Sequence, residues 1–224
     1  MANDYFKFKK FTIWQANCAM KVGTDGTLLG AWANGGRRIL DVGTGTGLIA
    51  LMMAQRFEDT QIVGVDIDEG AVAQARENVK VSPFVDRITI EKADIGTFES
   101  QPFDAIISNP PYFVDALTSP DNQRTLARHT ESLTYKTLMQ RCWDLLDDDG
   151  ELSVVIPFDC KSRLESEAVI VGFFKTREWA VKTTARKDAR RYLLAFRKHP
   201  KELDKNVMVI GDDTYQDLIK DFYL

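Results

Sequence analysis

The feature that most limits how this chain can fold is an alternation. Short apolar strand-like runs recur from Arg38 onward, and helical segments separate them. Arg38 to Val42 reads as a strand entering a glycine-rich turn, and Leu48 to Phe57 follows as an apolar helix. Gln61 to Val65 is the next strand, and Glu69 to Lys80 has amphipathic helical spacing. Arg87 to Glu91 and Phe103 to Ser108 predict strands. Leu133 to Leu146 predicts a helix with Leu138, Cys142 and Leu145 on one face, stopped by Gly150. Glu151 to Ile156 then reads as a strand, Lys161 to Val171 as a helix, and Trp179 to Thr183 and Arg191 to Arg197 as closing strands. Strands separated by helices need parallel crossovers, so the pattern predicts a doubly wound α/β fold on a mostly parallel seven-stranded sheet. The last two strands have no helix between them and predict an antiparallel hairpin at one edge.

A chain of 224 residues, 44% hydrophobic, can bury one substantial core but is short for two. A single domain over 1–224 is expected: residues 1–36 as an extension over the ligand site, 37–200 as the core and 201–224 as a docking tail. In that tail Tyr215, Leu218, Phe222 and Leu224 have helical spacing. Thr24 or Asp25 is placed to cap a short helix ending before Asn34. Cys18, Cys142 and Cys160 are widely spaced and odd in number, which suggests neither a disulfide framework nor a metal site and fits a reducing cytoplasm. The first residues lack a signal peptide's apolar run, and no stretch approaches the ~20 apolar residues of a membrane span.

The net charge of −4 conceals a segregation. From Lys175 to Lys201 ten Lys/Arg stand against two Asp/Glu, a balance of +8, which leaves 19 basic and 31 acidic residues, −12, elsewhere. Such a stretch suits a phosphate-attracting face, and equally a solvated strand edge guarded by cations.

Three motifs carry chemistry. Asp41-Val42-Gly43-Thr44-Gly45-Thr46-Gly47 lies between the first strand and its helix, where glycines let backbone approach a ligand. A nicotinamide-binding loop of the G-x-G-x-x-G kind needs glycine at 48, and the chain has Leu48. Asp66, in Val65-Asp66-Ile67-Asp68, lies at a strand's carboxyl end, where open α/β sheets bind ligands. Its carboxylate can accept both hydroxyls of a ribose, Ile67 can pack on the adenine, and Asp94 is placed to meet the adenine amino group. Asp68 reads instead as a helix cap. Asn109-Pro110-Pro111-Tyr112 follows the strand ending at Ser108 and so emerges at the same sheet edge. Its prolines hold the backbone extended. The Asn109 side-chain oxygen and the Pro110 carbonyl can then accept the hydrogens of a planar amine, with Tyr112 stacking on its ring.

DVGTGTG, VDID and NPPY, in this order, resemble the motifs of amino-methylating class I methyltransferases, which have a Rossmann-like sheet. Lys21 to Trp32, Leu126 to Thr130 and the tail Asp221 to Leu224 extend the likeness: over nearly its whole length the chain is similar to the bacterial tRNA1(Val) (adenine-N(6))-methyltransferase family. The resemblance implies S-adenosylmethionine as cofactor, with Gly43, Gly45 and Asp66 at its site, and Asp41, Gly47, Ile67, Asp94 and Asn109 are the further candidate cofactor residues. It implies Asn109, Pro110, Pro111 and Tyr112 as the acceptor site, and the adenosine 3′ of the anticodon in tRNA as substrate.

On this reading the partner is the anticodon stem-loop of tRNA, met by a monomer. Arg124, Arg128, Arg186, Lys187, Arg190 and Arg191, with Lys7, Lys9 and Lys10, are the candidate phosphate contacts. His129 admits a general-base role or a structural hydrogen bond, and no metal spacing surrounds it. The same acceptor chemistry serves glutamine methylation of peptide-release factors, but that class carries a helical substrate domain before its first motif, and only 40 residues precede Asp41. DNA adenine methylation lacks a target-recognition domain here. A non-enzymatic RNA-binding or cofactor-sensing module on the same fold would not need the Asn109 turn.

Overall fold

A computed structural model describes residues 4–16, 21–111 and 133–223. Two short strands, β1 (Tyr5–Lys7) and β2 (Thr12–Trp14), form an antiparallel hairpin that the alternation did not predict. Helix α1 (Thr24–Trp32) precedes the sheet proper. There follow β3 (Arg38–Val42), α2 (Leu48–Arg56), β4 (Gln61–Asp66), α3 (Glu69–Lys80), β5 (Ile88–Lys92) and β6 (Phe103–Ser108). The second half runs α4 (Tyr135–Leu145), β7 (Leu146–Pro157), α5 (Phe158–Val171), β8 (Phe174–Lys182), β9 (Arg191–Arg197), β10 (Asp204–Val209) and α6 (Asp213–Ile219).

Among the described residues the sheet has eight strands, in the order β10-β8-β9-β7-β6-β3-β4-β5, one more than the sequence pattern predicts. Strands β3 to β7 pair in parallel, and β9 alone is reversed, antiparallel to β7 and β8. The expected hairpin of β8 and β9 is present but is not the edge. The tail supplies β10, which pairs in parallel with β8 from Asp204 to Val209 and covers it. Polar residues dominate the first half of β10, so its strand character comes from the neighbour it pairs with more than from its own pattern.

Alternation along each strand sends successive side chains to opposite faces. Ile39, Ala105 and Ile107 join one core with α1, α2 and the tail, while Leu40, Ile106 and Val154 join a second with α4 and α5. Phe222, beyond α6, is 2% exposed. Its carbonyl accepts from Lys9 N at 2.8 Å, and Lys9 Nζ donates to the Lys220 carbonyl. Lys9 therefore fastens the tail to the N-terminal segment instead of standing ready for phosphate. Among the described residues no helix is long and apolar enough to cross a membrane.

Two boundaries differ from expectation. Gly150 does not end α4. The chain passes from Leu145 directly into β7, where Phe103 pairs with Leu146 and Ala105 with Glu151, so the residues between them bulge. A Cβ at Gly150 would stand 2.8 Å from Leu146 Cδ1 and 3.0 Å from the Asp104 carbonyl, so close packing explains this glycine. Neither Thr24 nor Asp25 caps α1. The cap position is Gly23, without a side-chain hydrogen bond, and the Thr27 hydroxyl donates to its carbonyl at 3.1 Å. Asp68, by contrast, does cap α3, its Oδ1 accepting from Ala71 N at 2.7 Å.

Candidate active site

The carboxyl ends of β3, β4 and β6 are in register. Val42 pairs with Val65 on one side and Ser108 on the other. The residues that follow, Gly43, Asp66 and Asn109, therefore stand at one level on three neighbouring strands. Ser108 Oγ donates to the Val42 carbonyl at 3.0 Å and fixes the alignment where the Asn109 turn begins.

The loop after β3 is rigid and glycine-dependent. Gly43 and Gly45 have φ of 71° and 55°, a region that costs a side-chain-bearing residue ~1 kcal/mol or more. Gly43 N and Thr44 N both donate to the Val65 carbonyl, at 2.9 and 3.0 Å, and Asn78 Nδ2 donates to the Thr46 carbonyl at 2.9 Å. A Cβ on Gly43 would meet nothing within 4 Å, so the space before the loop backbone is open to a ligand.

Asp66 links this loop to its own strand. Its Oδ2 accepts from Gly45 N at 2.9 Å and its Oδ1 from Asp68 N at 3.0 Å, yet the side chain is only half-buried and retains lone pairs for hydroxyl donors. Beside it Ile67 is 43% exposed, a large apolar side chain turned to solvent at the position expected to meet an adenine. Asp94 is half-buried in the turn after β5, where its Oδ1 accepts from Gly96 N at 2.8 Å.

Asp41 is fully buried. Its Oδ2 accepts from Thr44 Oγ1 at 2.6 Å and Ala50 N at 3.2 Å, which braces the loop against the first turn of α2. Its Oδ1 has no donor among the described residues. Burial raises its carboxyl to about 7, the Thr44 and Ala50 hydrogen bonds oppose the shift, and the charge of Asp66 adds to it. The open loop, the half-buried Asp66, the exposed Ile67 and the orphaned Asp41 oxygen all fit a nucleoside cofactor bearing a charged amino-acid arm.

Asn109 is half-buried, Pro110 buried and Pro111 half-buried. Tyr112, Arg124, Arg128 and His129 lie outside the described residues. Sequence reasoning missed how closely α1 approaches the Asn109 turn. A Cβ at Gly26 would stand 3.2 Å from Leu48 Cδ2 and 4.0 Å from Asn109 Nδ2, and the only local signal was a glycine inside a helix. Helix α1 is held there at both ends. Arg56 Nη1 donates to the carbonyls of Gly30 and Ala33 at 2.9 and 2.6 Å, and Asp25 forms an ion pair with Arg191. Arg191, expected among the phosphate contacts, is thus engaged with α1.

Other cations of the basic stretch also serve the fold. Glu151, 3% exposed, accepts from Arg177 Nη1 and Arg197 Nε at 3.0 Å each and from Asn34 Nδ2 at 2.9 Å. Lys175 pairs with Glu165 and Glu178, and Lys198 Nζ donates to the Leu146 carbonyl. Arg186, Lys187 and Arg190 are exposed in the β8–β9 connection and form no ion pair among the described residues. Because Val181 pairs with Arg191 and Pro157 with Arg191, that connection lies at the same sheet edge as Asn109.

Residues 23–186 match the model of the methyltransferase small domain family. A solved structure of a predicted O-methyltransferase from Agrobacterium tumefaciens shares the fold with a TM-score of 0.70 at 18% identity, covering 88% of this chain and 96% of that one. TrmN from Thermus thermophilus superposes with a TM-score of 0.57 at 23% identity, covering 77% of this chain and 47% of that one. With the three motifs converging on one edge, these findings define a class I methyltransferase that uses S-adenosylmethionine as methyl donor. At the sequence level, a tRNA1(Val) (adenine(37)-N6)-methyltransferase of Bacteroides thetaiotaomicron is 46% identical, covering 100% of this chain and 99% of the relative. One of Trichodesmium erythraeum is 42% identical with the same coverage. The chain belongs to the tRNA1(Val) (adenine(37)-N6)-methyltransferase family.

Proposed function

We propose that this chain methylates the exocyclic amino group of an adenosine in tRNA, the one 3′ of the anticodon in valine tRNA. The observation that supports the reading is the register of Gly43, Asp66 and Asn109, which brings the glycine-rich loop, the Asp66 carboxylate and the Asn109 turn to one edge. The names of the full-length relatives support the choice of tRNA.

The backbone of Gly43, Gly45 and Gly47 and the buried Asp41 oxygen would hold the amino-acid arm of S-adenosylmethionine. Asp66 would hold its ribose, and Ile67 and Asp94 its adenine. When bound, the cofactor supplies a methyl group on a cationic sulfur. The remaining work falls to the acceptor turn. Asn109 Oδ1 and the Pro110 carbonyl accept the two hydrogens of the amine, which orients its nitrogen and localises a lone pair otherwise spread into the ring. Tyr112 stacks on the base, a contact worth ~1–3 kcal/mol in nucleic-acid systems. No strong general base is needed, because the proton leaves after the nitrogen has gained its fourth bond.

An adenosine in an anticodon loop swings out at lower cost than one in a duplex. Arg186, Lys187 and Arg190 would hold backbone phosphates, joined by Arg124 and Arg128. Arg191 would act through α1. The enzyme works as a monomer in the cytoplasm, in keeping with buried free thiols at Cys142 and Cys160, and light scattering of the purified chain tests the monomer. The deciding experiment incubates labelled S-adenosylmethionine with total tRNA from cells lacking this protein and maps the labelled nucleoside. N6-methyladenosine beside the valine anticodon is expected, whereas labelling of a release-factor glutamine overturns the substrate assignment.

A further inference from the structure

An exposed aromatic ring beside a site for a planar base offers a flat apolar face on which a second base can stack. Phe158 opens α5, immediately after β7 ends at Pro157, and is 59% exposed. Its position is fixed: Phe158 N donates to the Arg190 carbonyl at 3.0 Å, and its ring lies 6.4 Å from that of Tyr192, tilted by 36°. Tyr192 is itself pinned, with Lys161 Nζ 4.8 Å from its ring centre and that ammonium held by Glu165 and Glu178 at 3.3 Å each. The result is a pre-set pair of rings whose outer member faces water.

The pair sits close to the acceptor turn. Ser108 pairs with Val154, so Asn109 is level with Val155, and Phe158 stands three residues further out on the neighbouring strand line, roughly 10 Å away at ~3.3 Å per residue. The exposed cations Arg186, Lys187 and Arg190 occupy the connection whose last carbonyl binds Phe158. A flat apolar ring bordered by unpaired cations matches the two demands of a single-stranded nucleic acid: a surface for a base and charge for its backbone. An acidic protein surface would use the cations but has no need of the ring.

We propose that Phe158, backed by Tyr192 and bordered by Arg186, Lys187 and Arg190, is a stacking platform for a nucleotide flanking the adenosine held at Asn109. The platform rests on the reading of Asn109 as the acceptor site for RNA. It orders the loop around the everted base and sets how tightly substrate RNA is held, without touching the reacting atoms.

The test compares the wild type with Phe158→Ala and Phe158→Trp on an anticodon stem-loop RNA carrying 2-aminopurine next to the target adenosine. Phe158→Ala should raise the KM for the stem-loop about tenfold and lose the fluorescence quenching that the wild type gives on binding. Its kcat at saturating RNA, affinity for S-adenosylmethionine and melting temperature should stay at wild-type values. Phe158→Trp should restore both KM and quenching. If the wild type methylates the RNA while Phe158→Ala keeps its KM and quenching, the platform is wrong and the acceptor reading stands. If the wild type methylates no RNA, the acceptor reading fails and the platform with it. If Phe158→Ala instead raises the KM for a glutamine-containing peptide, the ring serves a protein and the assignment to RNA is overturned.

Discussion

The amide of Gly45 donates to Asp66 Oδ2 over 2.9 Å, so the carboxylate that ends one strand holds the loop that follows its neighbour. The oxygens assigned to the cofactor ribose are therefore also a structural clamp. Replacing Asp66 with Ala should remove a ribose acceptor and loosen the loop together. Hydrogen bonds to a charged group contribute ~1.5–3 kcal/mol each, so the dissociation constant for S-adenosylmethionine should rise at least tenfold, as read by calorimetry.

Asn109→Ala should behave differently. Removing a preorganised group that acts on the reacting amine costs about 10²- to 10³-fold in kcat. Methyl transfer to tRNA should fall by that factor while the melting temperature holds. Retained turnover would remove Asn109 from the chemistry.

Asp41 gives a pH signature of defined sign. Burial raises its carboxyl in the folded chain to about 7, against 3.8 for a free side chain. Between these values the folded state keeps a proton that the unfolded chain has released. Folding stability from this group is therefore fully present at the acid end, is lost as pH rises through the window, and changes no further above it, with a slope of at most about 1.4 kcal/mol per pH unit. Asp41→Asn should flatten denaturant midpoints measured across the window.

Glu151 is the buried counter-charge for Arg177 and Arg197. Replacing it with Ala leaves two guanidinium groups without their partner, at a cost of about 3 kcal/mol. For a chain of this size that corresponds to a fall in melting temperature of roughly 6–12 °C, measurable by calorimetry.

The basic stretch divides into two classes that salt titration separates. The triple change of Arg186, Lys187 and Arg190 to Ala should lower the slope of log affinity against log salt for stem-loop RNA by about 2, given ~0.7 per phosphate contact on single strands. Arg191→Ala frees Asp25 from its ion pair and should reduce thermal stability while leaving that slope near the wild-type value.

Much of this molecule was legible residue by residue. The α3 boundaries followed from its amphipathic spacing and the Asp68 cap, and alternation located the strand cores. The positions of the loop and the Asn109 turn followed from strand ends in a parallel sheet, because each motif is local and the sheet's geometry is general. What the chain's own order could not display was pairing between distant segments. The tail's β10 becomes a strand because β8 offers it hydrogen bonds. Gly26 matters because α1 lies against Asn109, and Gly150 because Leu146 folds back over it. Four of the ten cations in a conspicuous basic run, Lys175, Arg177, Arg191 and Arg197, turned inward to Glu151, Glu165, Glu178 and Asp25. Sequence therefore determined which local elements form and which chemistry stands at their ends. The tertiary structure alone decided which charges neutralise one another and which remain exposed, since that depends on distances through space that sequence separation does not encode.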